Sequence, residues 1–306
     1  MAMPTVRDVH VDAVLTNISI GYKNPNYIAD QIFPTVTVNK KSDYFFTFDK
    51  GSWLRDEVAP RAPGTRARLM DYTVTTGSYN CITYAIAKEI SDEVRANADS
   101  PLRPDVDAAD FVTDALLRAH ELRVANLTTA GSGKWVYSTT PSTAWTSDVS
   151  DPWGDIDSLI NGVVASIGQL PTVMVMSWDV WRNLRQHPDF LDRVKYTRPT
   201  GRVEPSDLSS WFGIPKVLIG TQLYTPSREG ETTSASFIWG DQVWVGYVPP
   251  SPALMTPAAG YTFEWSKRQV SRFRLDPEHS DLIEASHSVD ARISASDAGG
   301  VLYGCV

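Results

Sequence analysis

Apolar residues recur at helical spacing at Ala108, Phe111, Val112, Ala115, Ala119, Leu122 and Ala125, as on an amphipathic helix. The spacing predicts a long helix over 107–128, capped by Asp107 and with Asp110 in its acid-favouring first turn. A second stripe, Ile156, Leu159, Ile160, Val163, Val164 and Ile167, predicts another helix. Beyond it Pro171 opens a short apolar strand, Thr172–Met176, and Ser177 caps a third helix, Trp178–Gln186, that stops before Pro188. A helical turn at Asp207–Phe212 ends at Gly213, and Lys216–Ile219 reads as one more buried strand. Residues 154–225 therefore alternate helix and strand, the α/β pattern.

Elsewhere the pattern is extended. Prolines at 25 and 34 break any helix in the first 39 residues, because the residue before proline is pushed toward extended geometry. Tyr44, Phe45, Phe46 and Phe48 make an aromatic strand, and Tyr72–Thr75 a β-branched one. Between them lies GSWLRDEVAPRAPGTRARL, rich in Gly, Pro and charge. The arrangement predicts a long hairpin loop over 40–75 with a polar tip. A strand from Tyr79 to Ile86 leads into a short helix at 88–94. Past residue 235 the chain is β-rich: Phe237–Trp239 and Gln242–Val248 flank Gly240-Asp241 as a candidate hairpin, and Tyr261–Trp265, Val270–Leu275 and Leu282–Ser294 read as strands.

Length and composition narrow the class. The 306 residues suffice for one large domain or two modest ones. Hydrophobic residues at 42% and charged residues at 21% are globular values, which excludes a disordered or collagen-like chain. Cys81 and Cys305 lie far apart with no CxxC partner, so neither a zinc site nor a disulfide framework is expected, and no cofactor or metal is assigned. A net charge of −8 argues against a general nucleic-acid-binding module. The N-terminus has no signal-peptide pattern, and no apolar run is long enough for a membrane helix.

Enzyme motifs fail on inspection, and the chain is expected to be no enzyme. Ala130–Trp135 resembles half a phosphate loop, but Thr128 stands where the first glycine belongs and Trp135 where Ser or Thr is required. His120-Glu121 begins like a zinc-protease helix without the second histidine, so a helix-surface pair is expected. His279 and His287, near Asp276, Glu278, Asp281, Glu284 and Asp290, read as a solvated strand face. Of the ten tryptophans, Trp178, Trp181, Trp239 and Trp244 are assigned to packing. Trp53 differs, lying in the charged loop, where it either anchors an interface or packs on its own hairpin. The same loop carries Arg55, Asp56, Glu57, Arg61, Arg66, Arg68 and Asp71, a mixed-sign set suited to a complementary copy of the same protein.

Three stretches, TVTTGSYNCITYAIAKEISDEV, DAADFVTDALLRAHELRVANLTTAGSG and DIDSLINGVVASIGQLPTVMVMSWDVWRNLRQHPDF, follow in an order that resembles the major capsid proteins of tailed double-stranded DNA phages. The resemblance covers nearly the whole chain. It implies an α+β, Hong Kong 97-like capsid fold: an N-terminal arm (1–39), an extended loop (40–75), a peripheral lobe (76–150) with the spine helix, an axial lobe (151–249), and a β-rich return to the peripheral lobe (250–306). It further implies pentamers and hexamers closing an icosahedral head around double-stranded DNA, assembled in the host cytoplasm. Each extended loop would lie across a neighbouring subunit, with Trp53, Arg55, Asp56, Glu57, Arg61, Arg66 and Arg68 at the contact. The implied partners are further copies of the chain, a portal, packaged DNA contacted weakly, and a decoration protein as a further candidate. Because the arm starts close to Met1, a separate scaffolding protein is expected. Lys40, Lys41 and Lys50 lie beside the loop and not at its arginine-rich tip, so the family's lysine–asparagine crosslink is not expected.

Two other readings remain open at this point. An encapsulin-type nanocompartment shares the fold and encloses protein cargo. An α/β enzyme with no recognisable motif leaves the 40–75 loop unexplained.

Overall fold

The computed structural model describes residues 14–16, 19, 27–47, 51, 54–58, 60–71, 73, 75–99, 102–129, 133–195, 201–228, 230–252 and 256–306. Trp53, Phe48, Lys50, Tyr72 and Gly131-Ser132 lie outside them, so the expectations placed on those residues stand as they were.

In chain order, a short helix α1 (Ala29–Ile32) is followed by strands β1 (Thr35–Thr37), β2 (Ser42–Thr47), β3 (Thr75–Asn80) and β4 (Ile82–Ser91). Helix α2 (Asp92–Ala96), the long helix α3 (Pro104–Thr129) and strand β5 (Tyr137–Thr139) come next. An alternating segment runs α4 (Pro152–Ile167), β6 (Val173–Ser177), α5 (Trp178–Leu184), α6 (Pro188–Val194), α7 (Pro205–Phe212), β7 (Lys216–Gly220). The chain closes with β8 (Leu223–Tyr224), β9 (Ser236–Phe237), β10 (Val243–Gly246), β11 (Gly260–Leu275), β12 (Ser280–Ile293) and β13 (Gly299–Leu302).

Local chemistry accounts for the boundaries. Helix α3 starts three residues before the expected position because Pro104 can occupy a first turn that needs no backbone donor. Asp151 caps α4 by accepting from the Gly154 amide at 2.8 Å, and Gly168, at φ 70°, ends it in the left-handed conformation. Ser177 caps α5 as expected.

Two sheets organise the body. The first has the order β1-β11-β12-β4, and α3 lies along one face of it. Ala108, Val112 and Leu116 pack there on Ile90, Val270, Ile283 and Ala285. Small residues on α3 let the helix sit close to the sheet. Phe111, assigned to the buried stripe, instead lies exposed, with the Lys88 ammonium 5.0 Å from its ring centre. The second sheet has the order β5-β13-β10-β6-β7, with β6 buried along its whole length.

The second sheet corrects one expectation. Strand β10 pairs with β6 and β13, and β9 pairs with β8, so the hairpin expected around Gly240-Asp241 does not form. Apolar Val243–Val245 gains more from a central position between two strands than from a two-stranded ribbon. Strands β5 and β13, outside the 151–249 segment, complete this sheet.

Candidate subunit interface

The extended loop is built on a hairpin with one anchored and one open face. Strands β2 and β3 pair antiparallel from Ser42↔Asn80 to Thr47↔Thr75. Alternation along β2 points Phe45 toward the body and leaves Tyr44 and Phe46 exposed. The Phe45 ring lies 5.0 Å from that of Phe263, and Tyr79 also stacks on Phe263 at 4.5 Å. Gly77 faces Phe45 across the ladder, and a Cβ there would come within 2.5 Å of the ring. The glycine is thus what lets Phe45 lie flat over β3. Backbone bonds continue the anchor: the Cys81 amide donates to the Lys41 carbonyl at 2.8 Å, and the Asn80 amide to Asp290 Oδ2 at 2.8 Å.

Beyond this base the chain leaves the body. Among the described residues from Leu54 to Asp71, all are exposed except Glu57. Val58 is 93% and Leu69 77% exposed. Glu57 pairs within the loop with Arg55 at 3.3 Å and Arg68 at 3.4 Å. Asp56 accepts from the Val58 amide at 3.2 Å. At the tip the Thr65 amide donates to the Ala62 carbonyl and Gly64 has φ 81°. With Pro63 before it, this is a type II turn, and Arg61 and Arg66 stand on either side of it. The six described residues of the expected contact set therefore share one projecting segment.

Other candidates resolve into structure. Lys134 donates to the Asn126 carbonyl at 3.0 Å near the end of α3, and the buried Trp135 indole donates to the Thr128 carbonyl at 2.8 Å. Both side chains thus serve the helix end and not a phosphate. His120 and Glu121 are buried, which corrects the helix-surface reading. Glu121 accepts from the Ile28 and Ala29 amides and from the Trp239 indole. Burial pushes its carboxyl above the usual range, and those three donors pull it only part of the way back. Such partners can be read only from the tertiary fold, so the sequence held no signal for them. His279 is exposed, whereas His287 is hydrogen-bonded to Glu264 at 2.7 Å and Asp281 is buried.

Asp281 gathers Arg272, Arg95 and Arg274, while Arg274 also pairs with Asp92 and Arg95 with Asp105. This network joins α2, the start of α3 and the β11–β12 turn. Burial works to raise the Asp281 carboxyl, but the bonds and charges of its three arginines outweigh it and hold the group below the usual range. Among the described residues, no three His, Cys, Asp or Glu side chains converge to hold a metal ion, and no helix is long and apolar enough to cross a membrane.

No protein-family model matches the chain. It is 26% identical over 306 residues to the major capsid protein of Burkholderia phage BcepMu, covering 96% of each chain. It is 22% identical over 305 residues to the major capsid protein of Pseudomonas phage JBD67, covering 94% of this chain and 95% of that one. A phage-related protein from Bordetella bronchiseptica RB50 superposes with a TM-score of 0.76 at 23% identity, over 97% of this chain and 98% of that one. The capsid of a native GTA particle superposes with a TM-score of 0.58 at 14% identity, over 92% and 91%. The chain thus has an α+β, Hong Kong 97-like capsid fold and is similar along almost its full length to major capsid proteins of phages.

Proposed function

We propose that this chain is the structural subunit of a phage head, assembling into pentamers and hexamers that close an icosahedral shell around double-stranded DNA. The observation that carries the reading is a loop with almost every described residue exposed, built on a capsid fold that is matched over nearly the whole chain. An isolated subunit gains nothing from Val58 and Leu69 in water, whereas a neighbouring copy would cover them. The loop, with Trp53, Arg55, Asp56, Glu57, Arg61, Arg66 and Arg68, is the contact between copies. The role is structural and not enzymatic.

In this reading residues 1–39 form the arm, 40–75 the loop, 76–150 with 250–306 the peripheral lobe, and 151–249 the axial lobe. Strands β5 and β13 stitch the two lobes together. The acidic net charge keeps the wall from gripping DNA tightly. A separate scaffolding protein, a portal and a decoration protein are the further partners, and assembly takes place in the host cytoplasm. Shell joints are held by packing and ion pairs, so a denaturing gel of particles should show monomer and no ladder.

Size-exclusion chromatography with electron microscopy of the purified chain tests the proposal. Hollow polyhedra, tubes or capsomers are expected, and a compact monomer under every assembly condition would overturn it. Particles that package protein cargo in place of DNA would favour the nanocompartment reading.

A further inference from the structure

A groove of about 850 Å³ opens between the end of β4, helix α2 and the start of α3. Its lining combines Val94 and Leu102, 57% and 64% exposed, with Lys88, Glu89, Glu93 and Asp107. The acids outnumber the one base. Among the described residues, the Glu89 and Glu93 carboxylates have no ion pair or hydrogen bond. The extended loop is its chemical complement. Between Val58 and Met70 it carries three arginines and no acid, with Leu69 and Met70 exposed beside them. Arg61 and Arg66, flanking the Pro63-Gly64 turn, have no partner among the described residues.

The topology decides whose loop fits whose groove. Strands β3 and β4 form one nearly unbroken extended run, interrupted at Cys81. The chain keeps following β12 through that point, because Ile82 pairs with Val289 and the Asn80 amide reaches Asp290. The loop leaves from the Thr75 end of this run and the groove lies at the Ser91 end. At about 3.3 Å per residue the two are roughly 50 Å apart. A loop pointing away from its own groove cannot fill it, so the occupant is a second copy. Contacts between two different patches are head-to-tail, and they close into rings when the rotation between copies permits.

We propose that the arginine-flanked tip of the extended loop docks in the groove of the adjacent copy, placing Arg61 and Arg66 against Glu89 and Glu93. This rests on the reading of the loop as a contact between copies and supplies its receptor.

Charge exchange in the full-length chain tests it. The pair Glu89→Arg/Glu93→Arg and the pair Arg61→Glu/Arg66→Glu should each lower particle yield at least tenfold. All four substitutions together should restore particles, because the attraction is re-formed with its sign reversed. Circular dichroism of each variant monitors the fold. A second measurement uses Arg66→Cys with Glu93→Cys in the assembled protein under mild oxidation, the native cysteines being buried. A ladder of disulfide-linked copies is expected. Failure of the shell reading would show as no assembly of the unsubstituted chain, which removes the basis of this inference too. If that chain assembles, normal assembly of the Glu89/Glu93 variant, failure of the fourfold variant to recover, or no intermolecular disulfide would each overturn the docking alone.

Discussion

The Trp239 indole donates to Glu121 Oε1 at 2.8 Å, joining the turn before β10 to the middle of the spine helix. The same carboxylate takes the Ala29 amide at 2.8 Å and the Ile28 amide at 3.1 Å, so it also holds the start of α1. One buried acid thus ties α1, α3 and the turn between β9 and β10 together. Its three donors would otherwise be buried without acceptors, the costly state for an amide or indole.

Glu121→Ala should therefore destabilise the fold by about 3 kcal/mol or more, because every donor loses its acceptor at once. Glu121→Gln should cost about 2 kcal/mol, since one amide oxygen cannot serve three donors and its NH₂ meets other N–H groups. Urea unfolding of purified subunits measures both. Hydrogen exchange should show the Gln31 and Phe33 amides, which bond within α1, losing protection before the core of the first sheet does.

How much of this could be read from the chain depended on the range of the interactions. Helix α4 was legible because its stripe, its Asp151 cap and its Gly168 stop are all local. The loop was legible because Gly, Pro and charge replace apolar residues between two strand-like runs. Burial of Glu121 was not, since its partners lie at least 92 residues away. The β10 pairing failed for the same reason: Gly240-Asp241 signals a local turn, while Val243↔Met176 and Val243↔Leu302 are distant contacts. Phe111 fits the helical stripe by spacing, yet it faces only the Lys88 side chain of the edge strand β4 and stays exposed. For the proposed interface, the loop was visible in the sequence, whereas the groove needs three elements brought together.

The arginine network around Asp281 predicts the acid limb of stability. The folded-state carboxyls of Asp281 and Asp92 lie below the usual aspartate value, Asp92 chiefly through its bond to Arg274. The unfolded chain therefore binds protons first as pH falls. Stability from these groups is fully present above the unfolded value, about 3.9, and disappears as pH drops through the lower folded values. Asp281→Asn should cost about 1–2 kcal/mol at pH 7, a modest figure because its arginines are partly solvated. The gap from wild type should narrow as pH falls below the unfolded value and close once pH is below the lowered folded one. Denaturant midpoints measured across pH check this, and a gap independent of pH would contradict the assignment.

His279 adopts φ 45°, the one non-glycine described residue at positive φ, in the turn between β11 and β12. Its backbone is fully used: the amide donates to the Asp276 carbonyl, and its own carbonyl accepts from the Asp92 amide. Only the Cβ opposes this conformation. His279→Gly should keep both bonds and raise stability by about 0.5–1 kcal/mol, less whatever the more flexible unfolded chain takes back. His279→Val should lower it, since a β-branched side chain suits that region worst. Thermal unfolding of the two variants should move in opposite directions.

Gly77 links the fold to assembly. A methyl group at this position meets the Phe45 ring at 2.5 Å, and the ring cannot retreat without leaving Phe263. Gly77→Ala should therefore lift Phe45 off the first sheet and loosen the hairpin base, at a cost of about 1–3 kcal/mol. Among the described residues, Phe45's cluster draws no member from α3 or the second sheet, so the body should stay folded while the loop loses its fixed direction. Limited proteolysis should cut the variant between Leu54 and Asp71 several-fold faster than it cuts the unassembled wild type. Particle yield should fall alongside. Replacing Phe45 with Leu in the same chain shortens the side chain facing residue 77, and partial recovery of both readouts would trace the defect to this one contact.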